Sequence, residues 1–269
     1  MADEADAYRL AFADHEFLMR EESRAARLEL EYLKPELVQL DEGINSTVVI
    51  FGSARTPQPD DARKRLENAR TAQAADPDNA ELLRLVTLAE NVEKNSIYYE
   101  EARKLGAMIT RDTLESGPCD MVVMTGGGPG IMEAANRGAQ EAGGKSIGLN
   151  IQLAFEQEPN PYVTPHLCFQ FHYFAIRKLH FLKRARALVA CPGGFGTLDE
   201  LFDALTLVQT GRIDPLPIIL MGHRFWRRAI NFDALAEEGV ISPEDIQLMD
   251  VVDTAEEAWR IIRDFYRMP

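Results

Sequence analysis

Basic charge is what this 269-residue sequence lacks most: 29 Lys and Arg stand against 43 Asp and Glu, a formal net charge of −14. A protein that wraps a nucleic-acid polymer must neutralise many phosphates with a basic surface. No polymer partner is therefore expected, and any phosphate bound here should be small and locally held. Long apolar runs are also missing, none approaching the ~20 residues that cross a bilayer. The acidic stretch from Met1 to Asp6 has neither a basic region nor an apolar segment behind it, so no membrane partner and a cytoplasmic location are expected. Cysteine is scarce. Cys119, Cys168 and Cys191 are too widely spaced for a zinc knuckle or a redox pair, and an odd count leaves no complete disulfide framework. They read as reduced, structural thiols. His166, His172 and His180 form no ligand pattern with neighbouring acids, so no metal is expected.

What is present is a 46% hydrophobic chain long enough to bury a full core. Leu10, Phe12, Phe17, Leu18, Leu28, Leu30, Leu33 and Leu37 recur at helical spacing among charges, which predicts one or two surface helices in a 1–44 extension. Residues 47–51 are a short apolar strand that stops at Gly52-Ser53. The charged, Ala-rich stretch 57–96 shows no strand pattern and breaks only near Asp76-Pro77-Asp78, which predicts an inserted helical hairpin. Beyond it the chain alternates: helix 97–115, strand 121–125, helix 131–142, strand 146–150, then Pro-rich irregular sequence and a strand over 167–171. Helix 174–184, strand 187–191, helix 198–210, strand 217–221 and helices to the C-terminus complete it. Apolar strands alternating with amphipathic helices specify an α/β fold, a Rossmann-like parallel sheet flanked by helices and spanning 45–269.

In such sheets ligands sit outside the carboxyl ends of the strands, and three of those loops are unusual. They are Gly52-Ser53-Ala54-Arg55, then Gly126-Gly127-Gly128-Pro129-Gly130, and Pro192-Gly193-Gly194-Phe195-Gly196-Thr197. Glycine lets backbone amides approach an anion, and the following helix start adds unpaired donors and partial positive charge. Gly52, Ser53, Gly127, Gly128, Gly130, Gly193, Gly194 and Gly196 are thus candidate phosphate and sugar contacts, with Thr197 adding a hydroxyl. Any one such loop is equally explained as a tight strand-to-helix turn; two together favour a binding role. A dinucleotide site is not indicated, because Gly126-x-Gly128 is followed by Ile131 where the fingerprint wants glycine, and the next strand ends in Asn150 rather than an acid. Gly144-Lys145-Ser146 mimics a Walker A ending, but lies between a helix and a strand, with Ala139 where the first glycine belongs.

The segment from Pro192 through Gly193-Gly194-Phe195-Gly196-Thr197 to Glu200, with Arg177-Lys178 upstream and the 126–132 loop, resembles the LONELY GUY family of phosphoribohydrolases, in its longer bacterial form. The likeness spans about residues 45–52 and 98–265. It implies a Rossmann-like fold, a homo-oligomer of dimer size or larger, and no cofactor. It implies hydrolysis of the N-glycosidic bond of a nucleoside 5′-monophosphate, AMP or an N6-modified AMP, to free base and ribose 5-phosphate. The family's catalytic arginine and glutamate correspond to Arg177 and Glu200. Its phosphate and sugar contacts correspond to 193–197, with Lys178, Glu133 and Thr206 as further contacts.

That chemistry suits the residue types. Breaking the bond from ribose C1′ to a base nitrogen develops positive charge on the sugar, which a carboxylate can stabilise while activating water. Arginine can hold charge in place but is a poor proton donor. Other readings of the same residues stay open at this stage. Glu133 and Glu200 also stand where acids favour a helix dipole, and Arg177, Lys178, Lys183, Arg184 and Arg186 could be a solvated helix face. A non-catalytic nucleotide or molybdenum-cofactor carrier on the same fold is the alternative function, one that gives the Arg177 and Glu200 pair no chemical purpose. A pyridoxal-phosphate lysine decarboxylase has little support, because no lysine stands in a Schiff-base context.

Overall fold

Alternate residues of a strand point to opposite faces, so a strand buried on both sides must be apolar throughout. The first strand obeys this rule. Val48 and Ile50 enter one core, while Val49 and Phe51 enter the other. A computed structural model describes residues 8–116, 121–153 and 158–268; Cys119 and the acidic start Met1 to Asp6 lie outside them.

Two helices, α1 (His15–Met19) and α2 (Arg24–Asp41), precede the first strand β1 (Ser46–Phe51). After it come α3 (Pro59–Ala75), α4 (Ala80–Ser116), β2 (Met121–Thr125), α5 (Ile131–Glu141), β3 (Ser146–Ile151) and β4 (Cys168–Phe171). The chain then crosses back through α6 (Phe174–Lys183) to β5 (Ala185–Ala190), and continues as α7 (Phe195–Gln209), β6 (Ile218–Met221), α8 (His223–Ala229), α9 (Phe232–Glu237), β7 (Met249–Val252) and α10 (Ala255–Tyr266). The strands form one seven-stranded sheet in the order β4-β3-β2-β1-β5-β6-β7, parallel at every pairing. Residues of α4, α5 and α10 cover one face, while those of α6, α7 and α8 cover the other. The α/β fold expected from the alternating pattern is the fold observed.

Three expectations need correction. The second arm of the anticipated hairpin and the helix expected at 97–115 are one continuous helix, α4, of 37 residues. The polar run Glu93-Lys94-Asn95-Ser96 looks like a junction, but neither Gly nor Pro occurs from Asp78 to Leu105, so nothing stops the helix. Gly106 lies inside α4 because a Cβ there would fall 2.3 Å from the Ala135 carbonyl oxygen of α5. The C-terminal region is not wholly helical: Met249-Asp250-Val251-Val252 adds the edge strand β7 in parallel to β6. Finally, α7 starts at Phe195 rather than 198, so Gly196 and Thr197 belong to its first turn.

Candidate active site

The strand order turns at β1, whose neighbours are β2 on one side and β5 on the other. Crevices at such a switch point are where open sheets take ligands. Backbone bonds lock the loops after β1 and β5 together: the Cys191 amide donates to the Phe51 carbonyl at 2.9 Å, and the Ser53 amide to the Pro192 carbonyl at 3.0 Å. The Ser53 carbonyl also accepts the Ile131 amide at 3.2 Å, which brings in the loop after β2. Gly130, at φ +71°, passes so close that a Cβ would lie 2.3 Å from the Ser53 oxygen. Gly52 is equally constrained, by the Ile131 side chain at 2.6 Å. The three glycine loops therefore meet, with Gly52, Ser53 and Gly130 at their common seam.

Their surroundings differ. Gly127 and Gly128 are buried. The Gly127 amide donates to the Thr125 hydroxyl at 2.9 Å, and the carbonyls of Gly127 and Gly128 accept from Asn160 Nδ2 at 3.1 and 3.0 Å. Asn160 and Thr125 both bond to Asn136 Oδ1, at 3.0 and 2.7 Å. In the second loop, Gly194, Phe195 and Gly196 are exposed, and a Cβ at Gly194 or Gly196 would meet nothing within 4 Å. Thr197 is buried and folds back on Gly193, where a Cβ would lie 2.1 Å from the hydroxyl. The exposed residues 194–196 lead into the 15-residue helix α7, and a helix start has donors of the kind an anion can use.

Arg177 and Glu200 lie within electrostatic range of each other. The Arg177 Nε donates to the Leu149 carbonyl at the end of β3 at 2.8 Å, and the guanidinium stacks 5.0 Å from the Phe181 ring centroid. Its Nη2 lies so close to Gly126 that a Cβ there would approach within 2.7 Å. Glu200, on α7, is 6% exposed. Burial pushes its carboxyl up to about 7, against the pull of Arg177 and Lys178 and with the push of Asp199 and Asp203. Burial likewise lowers the Arg177 pKa, while Glu200 and Asp199 hold the charge in place. A carboxyl raised towards neutrality beside a cation has the electrostatics that acid–base work requires, and structural ion pairs share them.

The remaining candidates are placed less centrally. Lys178 pairs with Asp199 at 2.7 Å. Burial opposes its charge, yet Asp199, Glu200 and Asp203 hold its pKa above the ordinary value, the reverse of what a Schiff-base lysine requires. Glu133 accepts the Tyr99 hydroxyl at 2.8 Å. Thr206 stands apart from Glu200: it is exposed, gives its hydroxyl to the Phe202 carbonyl at 2.7 Å, and lines a shallow hollow of about 450 Å³ with Lys178, Phe195 and Asp199. The basic run is only partly a solvated face: Lys183 and Arg186 are exposed. Arg177 is half-buried, and the Arg184 side chain is 10% exposed in a pair with Glu36. Cys191 is fully buried, and burial pushes its thiol up to about 12, so it is inert as a nucleophile.

Sequence reasoning missed Asn160, Asn136 and Tyr99. Asn160 lies between two prolines in sequence that reads as irregular, and the groups its Nδ2 donates to are 24 to 33 residues away. Nothing local in the chain signals those bonds.

Comparison with known proteins bears on this arrangement. A family model described as "possible lysine decarboxylase" matches residues 132–262. The cytokinin riboside 5′-monophosphate phosphoribohydrolase of Mycobacterium tuberculosis is 30% identical over 190 residues, 70% of this chain and 88% of that one. The Arabidopsis thaliana enzyme of the same name, LOG3, is 26% identical over 175 residues, 64% of this chain and 77% of its own. Among solved structures, the molybdenum cofactor carrier protein of Chlamydomonas reinhardtii is 18% identical with a TM-score of 0.47, over 84% of this chain and 99% of that one. The molybdenum cofactor binding protein of Rippkaea orientalis is 17% identical with a TM-score of 0.46, over 82% and 95%. Those structural scores carry no functional argument, whereas the mycobacterial match is long and similar enough to settle kinship. The chain belongs to the cytokinin riboside 5′-monophosphate phosphoribohydrolase family, known as LONELY GUY.

Proposed function

We propose that this protein hydrolyses the N-glycosidic bond of nucleoside 5′-monophosphates, AMP or N6-modified AMP foremost, to free base and ribose 5-phosphate. The observation that carries the reading is Glu200, a buried carboxyl raised to about 7 beside Arg177, on the helix headed by the amides of the exposed residues 194–196. The 5′-phosphate sits against those amides and the start of α7. That seat brings the sugar ring to Glu200. As the bond from C1′ to the base nitrogen breaks, its electron pair leaves with the base and the ring becomes cationic. Water adds its oxygen to C1′ and gives a proton to ionised Glu200, and the base nitrogen takes up a proton from solvent. Arg177 keeps a positive charge beside the carboxylate and orients the leaving group or the phosphate. Lys178, Thr197, Ser53 and Glu133 complete the contacts as secondary groups.

A homo-oligomer belongs to the same proposal. Phe174, Leu179, Phe195 and Phe202 are exposed on α6 and α7, Phe195 at 91%, and Leu179 also lines a groove of about 940 Å³ that α6, α7 and the 211–216 segment share. An apolar surface of that kind supports a subunit contact, which light scattering on a sizing column would measure. The location we propose is cytoplasmic; among the described residues no helix is long and apolar enough to cross a membrane.

The deciding experiment is chromatography of products after incubation with AMP, GMP, CMP, UMP, IMP and N6-isopentenyl-AMP, with Glu200→Gln as control. Free base and ribose 5-phosphate from the wild type alone support the hydrolase and rank its substrates. Intact nucleotide throughout sinks the reading.

A further inference from the structure

Helix α6 carries Arg177 and Lys178, yet has only ten residues, a length at which an isolated helix is not stable in water. Its N-cap residue, Tyr173, supplies no side-chain cap. The cap comes instead from α2. The Glu31 carboxylate accepts the backbone amides of His172 at 2.8 Å and Tyr173 at 3.1 Å, placing negative charge where a helix start has unpaired donors. Arg27, one turn earlier on the same face of α2, gives its Nε to the Tyr173 hydroxyl at 3.2 Å and its Nη1 to the carbonyls of Leu18 and Arg20. At the other end of α6, Glu36 holds Arg184 in a bidentate pair at 2.6 and 2.8 Å and Lys183 at 3.0 Å. The hydrogen bonds from Arg184, ahead of those from Lys183, hold the Glu36 carboxyl down to about 2. Between the two ends the buried ring of His180 lies 5.5 Å from both Tyr32 and Phe171.

The connection to the site is one peptide long. Tyr173, whose amide Glu31 accepts, receives at its carbonyl the amide of Arg177 at 3.2 Å. The guanidinium itself gives its Nε to the Leu149 carbonyl and lies over the Phe181 ring.

We propose that α2 is a brace that sets the position of Arg177, with Glu31 as the positioning residue at the catalytic end of α6 and Glu36 as the pin at the other. The brace rests on the hydrolase reading, in which Arg177 acts on the substrate. Misplacing a catalytic group by about 1 Å can cost up to about 10²-fold in rate, so a cap supplied from outside the helix matters to turnover as well as to folding.

The test compares Glu31→Gln, Glu31→Asp and Glu36→Gln with the wild type in the full chain. It measures kcat and KM for AMP, the pH dependence of kcat, and hydrogen exchange of the α6 amides. For Glu31→Gln we expect kcat to fall about 10-fold with KM held within about twofold. The acidic limb of the pH profile should move to higher pH. Its direction is diagnostic. Deleting a nearby negative charge by itself eases ionisation of Glu200 and moves the limb down, whereas withdrawing Arg177 removes the pull on that carboxylate and moves it up. Glu31→Asp should recover part of the rate, and Glu36→Gln should repeat the effect more weakly. If Glu31→Gln does not fold, the other two variants decide. A lowered Tm with unchanged kcat and an unmoved limb would mark Glu31 as merely structural and overturn the brace. A wild type that releases no base overturns the hydrolase reading instead; exchange at 172–178 then decides the brace, with about tenfold faster exchange in Glu31→Gln expected and unchanged rates refuting it.

Discussion

The two glycine loops share a sequence signature and do different work. The one at 126–130 is buried and consumes its own polar groups, through Thr125, Asn136 and Asn160. What it offers the site is a floor without a side chain: Gly126 leaves room for the Arg177 guanidinium. The one at 193–197 keeps Gly194 and Gly196 open and points a helix start outward. Glycine is needed in the first because something else occupies the Cβ position; in the second that holds only at Gly193, against Thr197, while Gly194 and Gly196 have empty Cβ positions that leave the backbone approachable. A run of glycines after a strand thus has two physical meanings, and only the neighbours of each Cα distinguish them.

The sharpest way to break this division is at the carboxyl on which the proposed reaction turns. Glu200→Gln is expected to lower kcat by about 10²–10⁴-fold while leaving nucleotide binding in place, read by turnover and by equilibrium binding of AMP. In the wild type kcat should rise as pH climbs through about 7 and the carboxyl ionises. Stability should move the other way. A carboxyl whose folded pKa lies above its unfolded value binds protons more tightly when folded, so stability falls between the ordinary value of 4.5 and about 7 and is level above. Glu200→Gln removes that loss. Relative to the wild type it should therefore gain on the order of 1–3 kcal/mol at pH 8 compared with pH 4, visible in denaturant titrations at both pH values.

Next in size is Gly126→Ala. The added methyl meets Arg177 Nη2 at 2.7 Å and Met132 Sδ at 2.8 Å, and the guanidinium must give way. We expect about 10²-fold lower kcat/KM, carried by kcat, in a protein that still folds. Full activity would show that Arg177 is not held where turnover needs it. Asn160→Ala attacks the same loop from below, leaving the Gly127 and Gly128 carbonyls without that donor. Its expected cost is about 1–3 kcal/mol of stability in urea titration, with a smaller effect on kcat/KM than Gly126→Ala.

How much of this could be read in the chain follows from the range of each interaction. Strands β1, β2, β3 and β5, their order of alternation with helices, and both glycine loops are signalled by residues adjacent in sequence. Edge strand β7 is not: with Asp250 in four residues and two of them exposed, its pattern is too short and too polar to declare a strand. The merging of two expected helices into α4 is legible only in retrospect, as a missing stop signal. In the candidate site, Arg177 and Glu200 stand out in the sequence through a motif, not through any property of the residues alone, since an arginine in a basic run and a glutamate near a helix start have ordinary explanations. Burial separates them from those explanations, and burial is a sum over distant neighbours. The Glu31 cap on α6 spans 141 and 142 residues, and Asn160 reaches back 33. No window along the sequence contains both partners.

The smallest expected effect is the most discriminating for the second loop. Gly194 has φ −94° and ψ −154°, a backbone that alanine also adopts, and its Cβ position is empty. Gly194→Ala should therefore leave Tm unchanged within about 0.5 kcal/mol of stability, as neutral surface substitutions do. If a phosphate rests on the amides of 194–196, the new methyl crowds it and KM for AMP should rise about 3- to 10-fold, with kcat nearly intact because the reacting carbon lies at Glu200. If KM does not move, the phosphate is held elsewhere, and the Ser53 and Arg55 side of the crevice becomes its seat. A fall in kcat at constant KM would mean instead that the open loop acts on the transition state, and the division of labour between the two glycine loops would have to be redrawn.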